Sequence, residues 1–134
     1  MALTVADSSL LIPAVVPWHA EHARADRALG QVDDLRMIGP VLLETYSWLT
    51  RNRPRTPSTV AASLLAALPG PPLVLSPEGH VRLLDHAGRN GLMGGAMYDA
   101  LIAATALEAD ARLLSRDERA ARTYEAIGVR FELV

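Results

Sequence analysis

Tyr98-Asp99-Ala100-Leu101-Ile102-Ala103-Ala104-Thr105-Ala106-Leu107-Glu108, followed by Arg112-Leu113-Leu114-Ser115-Arg116-Asp117-Glu118, is the stretch that decides the fold. The first eleven residues are strong helix formers and apolar nearly all round, so the spacing predicts a buried helix. Arg112 to Leu114 is too short and apolar for a helix and reads as a buried strand. Ser115 with Glu118 three positions on has capping-box spacing and predicts the start of another helix. That helix runs to Ile127 and stops at Gly128, and Val129 to Leu133 reads as a last strand.

The same alternation extends back to the N-terminus. Leu73 to Leu75 is a third strand, followed by a helix over Glu78 to Gly88 with Val81, Leu84 and Ala87 on one face. The glycine-rich stretch from Arg89 to Gly95 is a loop. Thr56-Pro57 is an N-cap followed by a first-turn proline, opening a helix that runs to about Leu68. Val41 to Arg51 is a helix after the second strand, Leu35 to Gly39. His19 to Leu29 is a polar helix stopped by Gly30, and Ser8 to Val16 is a short one. Leu3 to Ala6 is an apolar run that ends abruptly at Asp7. Short apolar strands alternating with helices predict an α/β fold of three layers, a central and mostly parallel sheet of about five short strands flanked by helices. The length of 134 residues and the absence of a linker or repeat predict one domain over 1–134.

Composition narrows the chemistry. Cysteine is absent, which excludes disulfides, thiolate zinc sites and a cysteine nucleophile. All 13 basic residues are Arg, so no mechanism that needs a lysine is available. The net charge of −2 does not suggest a strongly basic nucleic-acid binder. No signal peptide or membrane span is evident, and a cytoplasmic protein is expected.

In open parallel sheets, ligands bind at the carboxyl ends of the strands. Asp7 follows the first strand there and Asp117 follows the strand Arg112–Leu114. Asp99 lies in the first turn of the buried helix, and Glu44 sits among Val41, Leu42, Leu43 and Leu49. Each has an ordinary explanation: Asp7 suits a helix cap, Asp99 and Asp117 suit helix N-termini, and Glu44 suits an exposed helix edge. Together, four carboxylates at one sheet edge repel one another unless a cation neutralises them. Carboxylate-only ligation fits Mg²⁺ or Mn²⁺.

The segments carrying these acids are Val5-Ala6-Asp7-Ser8-Ser9, Leu43-Glu44-Thr45, Tyr98-Asp99-Ala100 with its small-residue helix, and Leu114-Ser115-Arg116-Asp117. In order and spacing the sequence resembles the PIN-domain ribonucleases, in particular the VapC toxins of type II toxin–antitoxin pairs. Ser115 stands where the family pattern has Thr. The resemblance implies a PIN-like fold and a cytoplasmic endonuclease. The resemblance further implies a hydrolase that cleaves RNA with magnesium or manganese at a site of Asp7, Glu44, Asp99 and Asp117, supported by Ser9 and Ser115. It also implies a cognate antitoxin, a homodimer and no membrane partner.

Arg116 and Arg119, neighbours at i and i+3 beside Asp117, are candidate RNA contacts. Arg51, Arg53 and Arg55 form the densest basic run and read as a solvated face. Trp48 reads as core, and Trp18 as a partner surface. His19 and His22 show no metal spacing and read as solvent-exposed. Two rivals remain. A phosphotransfer domain with Asp7 as acceptor needs a lysine that the chain lacks. A catalytically silent PIN-like binding module would lose a carboxylate easily, and all four are present. Setting those four aside leaves 11 acids against 13 arginines, so the remainder of the chain is mildly basic.

Overall fold

The computed structural model describes residues 3–52 and 56–134. Four strands, β1 (Leu3–Ala6), β2 (Asp34–Arg36), β3 (Ala111–Ser115) and β4 (Phe131–Leu133), pair in the order β2-β1-β3-β4, and every pairing is parallel. Seven helices are described: α1 (Ser8–Val15), α2 (His22–Gly30), α3 (Gly39–Asn52), α4 (Pro57–Ala67), α5 (Pro77–Asn90), α6 (Ala96–Glu108) and α7 (Glu118–Ile127).

Side chains alternate across a strand, so both faces of the sheet must be covered. Val5 and Leu113 point into the main core with Val41 of α3, Ile102, Ala103 and Ala106 of α6, and Ala120 and Tyr124 of α7. Their neighbours Ala6 and Leu114 enter a second cluster with Leu10 of α1 and Ala25 of α2. The three-layer expectation therefore holds.

The strand expected at Leu73–Leu75 is reduced to a single parallel bridge, Ile38↔Leu73, so the described sheet has four strands rather than about five. Gly30 does not stop its helix; it is the last helical residue and Gln31 is the C-cap. Thr56 caps α4 ahead of Pro57, and Gly128 ends α7 at φ 89°, both as expected. Ser115, however, is not a helix cap. It is the last residue of β3, and Asp117 caps α7 by accepting from the backbone N–H groups of Arg119 and Ala120.

On α5 the expected inward face is turned. Gly79, Leu83 and Ala87 are buried, while Val81 and Leu84 are each 71% exposed. The cause is a close approach at Gly79, where a Cβ would lie 2.6 Å from Leu75 Cδ1. Only the row through that glycine can face inward. On α6, Tyr98 and Leu107 are exposed, so the helix is buried on one face and not all round. His19 and His22 are half-buried rather than free in solvent: His19 Nδ1 accepts from Glu21 N–H at 3.0 Å, and His22 Nδ1 bonds the Pro13 carbonyl at 2.8 Å. Among the described residues, no helix is long and apolar enough to cross a membrane.

Candidate active site

The winding of the sheet reverses between β1 and β3, and the crevice beyond the ends of those two strands is where α/β sheets bind ligands. The β1–β3 register pairs Ala6 with Leu114, and Asp7 N–H donates to the Leu114 carbonyl at 3.2 Å. Asp7 and Ser115 are thereby neighbours at the sheet edge. Asp7 also caps α1. Glu44 comes in from α3, Asp99 from the first turn of α6, and Asp117 from the cap of α7.

All four acids line one cavity of about 320 Å³, together with Ser8, Ser9, Gly95, Tyr98 and Ile102. The sequence-derived quartet is brought together, but loosely. Among the described residues, no three His, Asp or Glu side chains are grouped closely enough to hold a metal ion as they stand. Each carboxylate except Asp99 has a local partner of its own. Glu44 Oε1 accepts from Ser8 Oγ at 2.8 Å. Asp117 Oδ1 accepts from Arg119 N–H at 2.9 Å and lies 3.7 Å from the Arg119 guanidinium.

Asp7 is the most constrained of the four. It is 4% exposed, and both oxygens are doubly hydrogen-bonded. Oδ1 accepts from Ser9 N–H at 3.1 Å and Ser9 Oγ at 2.5 Å. Oδ2 accepts from Ser115 Oγ at 2.5 Å and from the Tyr124 hydroxyl at 2.6 Å. Four neutral donors thus converge on this one carboxylate. Ser9 and Ser115 are thus supports of Asp7, and the Ser115 hydroxyl is drawn to Asp7 in preference to a capping box. It accepts from Asp117 N–H at 3.0 Å as well, linking the two acids through one atom.

Tyr124 escaped the sequence reading. It is fully buried on α7 and stacks edge-on against Phe131, with centroids 5.5 Å apart. A buried Tyr needs a partner for its hydroxyl, and Ala120 with Tyr124 marks the inward row of α7. That much was readable; that the partner is Asp7, 117 residues away in sequence, was not. Burial and the Asp7 carboxylate together push the phenol's pKa well above its ordinary value, so it stays a donor.

Asp99 carries the electrostatic strain of the cavity. Its pKa is raised to about 6, first by burial and then by Asp117, Asp7 and Glu44, with Arg119 opposing. An acid raised by burial and then by three acidic neighbours marks negative charge that is not compensated locally. A set of carboxylate and hydroxyl oxygens matches a hard divalent cation in donor chemistry.

Arg116 and Arg119 line an adjoining groove with His19 and Trp48, and Ser8, Ser9 and Asp117 belong to both groove and cavity. Arg112, at the other end of β3, pairs with Glu132 at 3.1 Å. Of the basic run, Arg51 is exposed near the end of α3, and Arg53 and Arg55 lie outside the described residues.

Comparison with known proteins agrees with this architecture. The chain is 40% identical over 131 residues to ribonuclease VapC40 of Mycobacterium tuberculosis, covering 96% of each. It is 41% identical over 125 residues to ribonuclease VapC27 of the same organism, covering 92% of this chain and 90% of the other. Its fold matches the crystal structure of M. tuberculosis VapC20, described as a sarcin-ricin loop cleaving toxin, with a TM-score of 0.73 at 15% identity, covering 90% of this chain and 94% of that one. It also matches VapBC2 of Rickettsia felis, solved with a DNA fragment of its promoter, with a TM-score of 0.69 at 15% identity over 98% of each chain. The family model for the PIN domain spans residues 4–126, from β1 through nearly the whole of α7 and so across all four acids of the cavity. By that match, and by its identity to the VapC ribonucleases, the chain belongs to the PIN domain family.

Proposed function

We propose that this chain is the ribonuclease toxin of a toxin–antitoxin pair. It hydrolyses RNA phosphodiester bonds at the cavity of Asp7, Glu44, Asp99 and Asp117 with Mg²⁺ or Mn²⁺ as cofactor. The observation that carries the reading is the convergence of four carboxylates from four separate elements on one cavity, with Asp99 pushed up to about 6 by burial and the other three. Relatives of 40% identity named as ribonucleases support the choice of substrate. A bound divalent ion activates water and offsets charge at the scissile phosphate.

The chain's own residues do the rest. Ser9, Ser115 and Tyr124 hold the Asp7 carboxylate in one orientation. Ser8 restrains Glu44, and the α7 backbone restrains Asp117. These three with Asp99 would hold the ion, and one of them would orient the attacking water. Arg116 and Arg119 steer the phosphate backbone toward the cavity. One domain over 1–134 carries this activity, which is exerted in the cytoplasm. A cognate antitoxin and a homodimeric state complete the proposal; solved neighbours that include antitoxin complexes support the former.

The purified chain is expected to cleave RNA with Mn²⁺ and to stop when the ion is chelated. Asp7→Asn and Asp99→Asn are expected to remove cleavage while circular dichroism stays unchanged. Full activity in either variant overturns the assignment. RNA binding without cleavage supports the silent-module rival, and transfer of a phosphoryl group to Asp7 supports the phosphotransfer rival.

A further inference from the structure

The groove beside the acidic cavity has a volume of about 350 Å³, within the range of small-ligand sites. Its walls differ in chemistry from the cavity's. Trp48, Ile12 and Pro13 supply apolar surface; Arg116, Arg119 and His19 supply donors; Asp117 is its one acid among the described residues. The half-buried Trp48 packs against Val16, Leu49, Val60 and Leu64, so its indole is held in place before any ligand arrives.

Two of the donors are likewise fixed. His19 Nδ1 accepts from the Glu21 N–H, which puts the hydrogen of the neutral ring on Nε2 and makes that atom a donor. Arg116 is anchored at Ser9: its backbone N–H donates to Ser9 Oγ at 2.8 Å and its Nη1 to the Ser9 carbonyl at 3.0 Å. That side-chain contact takes one of the guanidinium's five N–H groups. Arg119 is 96% exposed. An aromatic side chain beside two arginines suits a ligand that is both planar and anionic. Ser8, Ser9 and Asp117 are shared between groove and cavity, so whatever occupies the groove continues into the cavity.

We propose that this groove receives one unpaired nucleotide of the RNA substrate next to the bond that is cut, its base stacked on Trp48 and its phosphate on Arg116 and Arg119. The proposal rests on the ribonuclease reading for the continuation of the strand into the cavity. Base stacking on an aromatic side chain depends little on sequence, because every base has a π face. The groove thus selects for an unstacked nucleotide rather than for a particular base.

The chain has two tryptophans, so a Trp18→Phe background leaves Trp48 as the fluorescent reporter. Adenosine and uridine 5′-monophosphate are expected to quench that fluorescence saturably, and Arg116→Ala to weaken the apparent binding about tenfold. In cleavage assays, Trp48→Leu is expected to raise KM for RNA about tenfold with kcat changed less than threefold, and Trp48→Phe to recover most of the loss. The quenching arm keeps Trp48 in place and so stands even where Trp48→Leu disturbs the packing beneath it. No quenching by either nucleotide, or an unchanged KM in Trp48→Leu, overturns the proposal. Quenching by an acidic peptide but not by nucleotides assigns the groove to a protein ligand and overturns it too. Saturable quenching by nucleotides in a protein that cleaves no RNA upholds the groove and defeats the ribonuclease reading instead.

Discussion

Replacing Tyr124 by Phe removes one oxygen atom and leaves the ring in its packing against Phe131. The lost donor lies 2.6 Å from Asp7 Oδ2, in a fully buried position where water cannot take its place. A hydrogen bond to a charged partner contributes about 1.5–3 kcal/mol. Ser115 Oγ still donates to the same oxygen, so the low end of that range is expected. For a chain of this size, about 1.5 kcal/mol lowers Tm by roughly 5 °C. The functional consequence is larger than that shift suggests. Partners that orient a metal ligand typically contribute 10–100-fold to metal affinity or activity. Mn²⁺ affinity of Tyr124→Phe, measured by paramagnetic resonance of the free ion, is therefore expected to fall by at least about tenfold, with a matching rise in the Mn²⁺ needed for half-maximal cleavage. Combining it with Ser115→Ala, which strips the second donor from Oδ2, is expected to cost more than the sum of the single changes, because the two donors share one acceptor. A Tyr124→Phe protein with lowered Tm but unchanged Mn²⁺ affinity refutes the reasoning and leaves Tyr124 a packing residue.

Other expectations follow from the same structure. The raised pKa of Asp99 means that this group holds its proton more tightly in the metal-free folded chain than in the unfolded one, so its contribution to stability falls as pH rises between about pH 4 and 6 and levels off above. Asp99→Asn removes the fall, and thermal melts of the metal-free protein at pH 4.5 and 7 check this. Gly79→Ala drives a methyl against Leu75 and is expected to destabilise the fold by about 1–3 kcal/mol in urea unfolding, without altering Mn²⁺ affinity. Arg119→Ala is expected to lower the slope of log RNA affinity against log salt by about 1, and an unchanged slope marks Arg119 as a solvated charge.

What was legible in the sequence was local. The strand ending at Asp7 and the Thr56-Pro57 helix start are written in a few adjacent residues, and they stand where expected. The placement of the four acids was legible because parallel sheets present their strand ends to ligands, whatever the sequence in between. Two of the misreadings share one cause, a tertiary contact that outranks a local preference. Ser115 has the spacing of a cap, but Asp7 lies beside it across β1–β3 and takes its hydroxyl. Val81 and Leu84 are more apolar than Gly79, yet only glycine allows α5 to approach Leu75, so they face outward. Leu73–Leu75 has strand composition but bonds its neighbour at one bridge alone. Tyr124 could be read as buried, and its link to Asp7 could not, because no pattern within α7 encodes what lies opposite. Nor does sequence reveal that three of the four carboxylates are held on local partners of their own.

The central claim is that these four carboxylates close around a divalent cation, and anomalous diffraction from crystals soaked in Mn²⁺ tests it most directly. The account predicts an anomalous peak within coordination distance of Asp7, Asp99 and at least one of Glu44 and Asp117, absent in Asp99→Asn. A protein that cleaves RNA with Mn²⁺ while its peak lies elsewhere, or persists unchanged in Asp99→Asn, contradicts it.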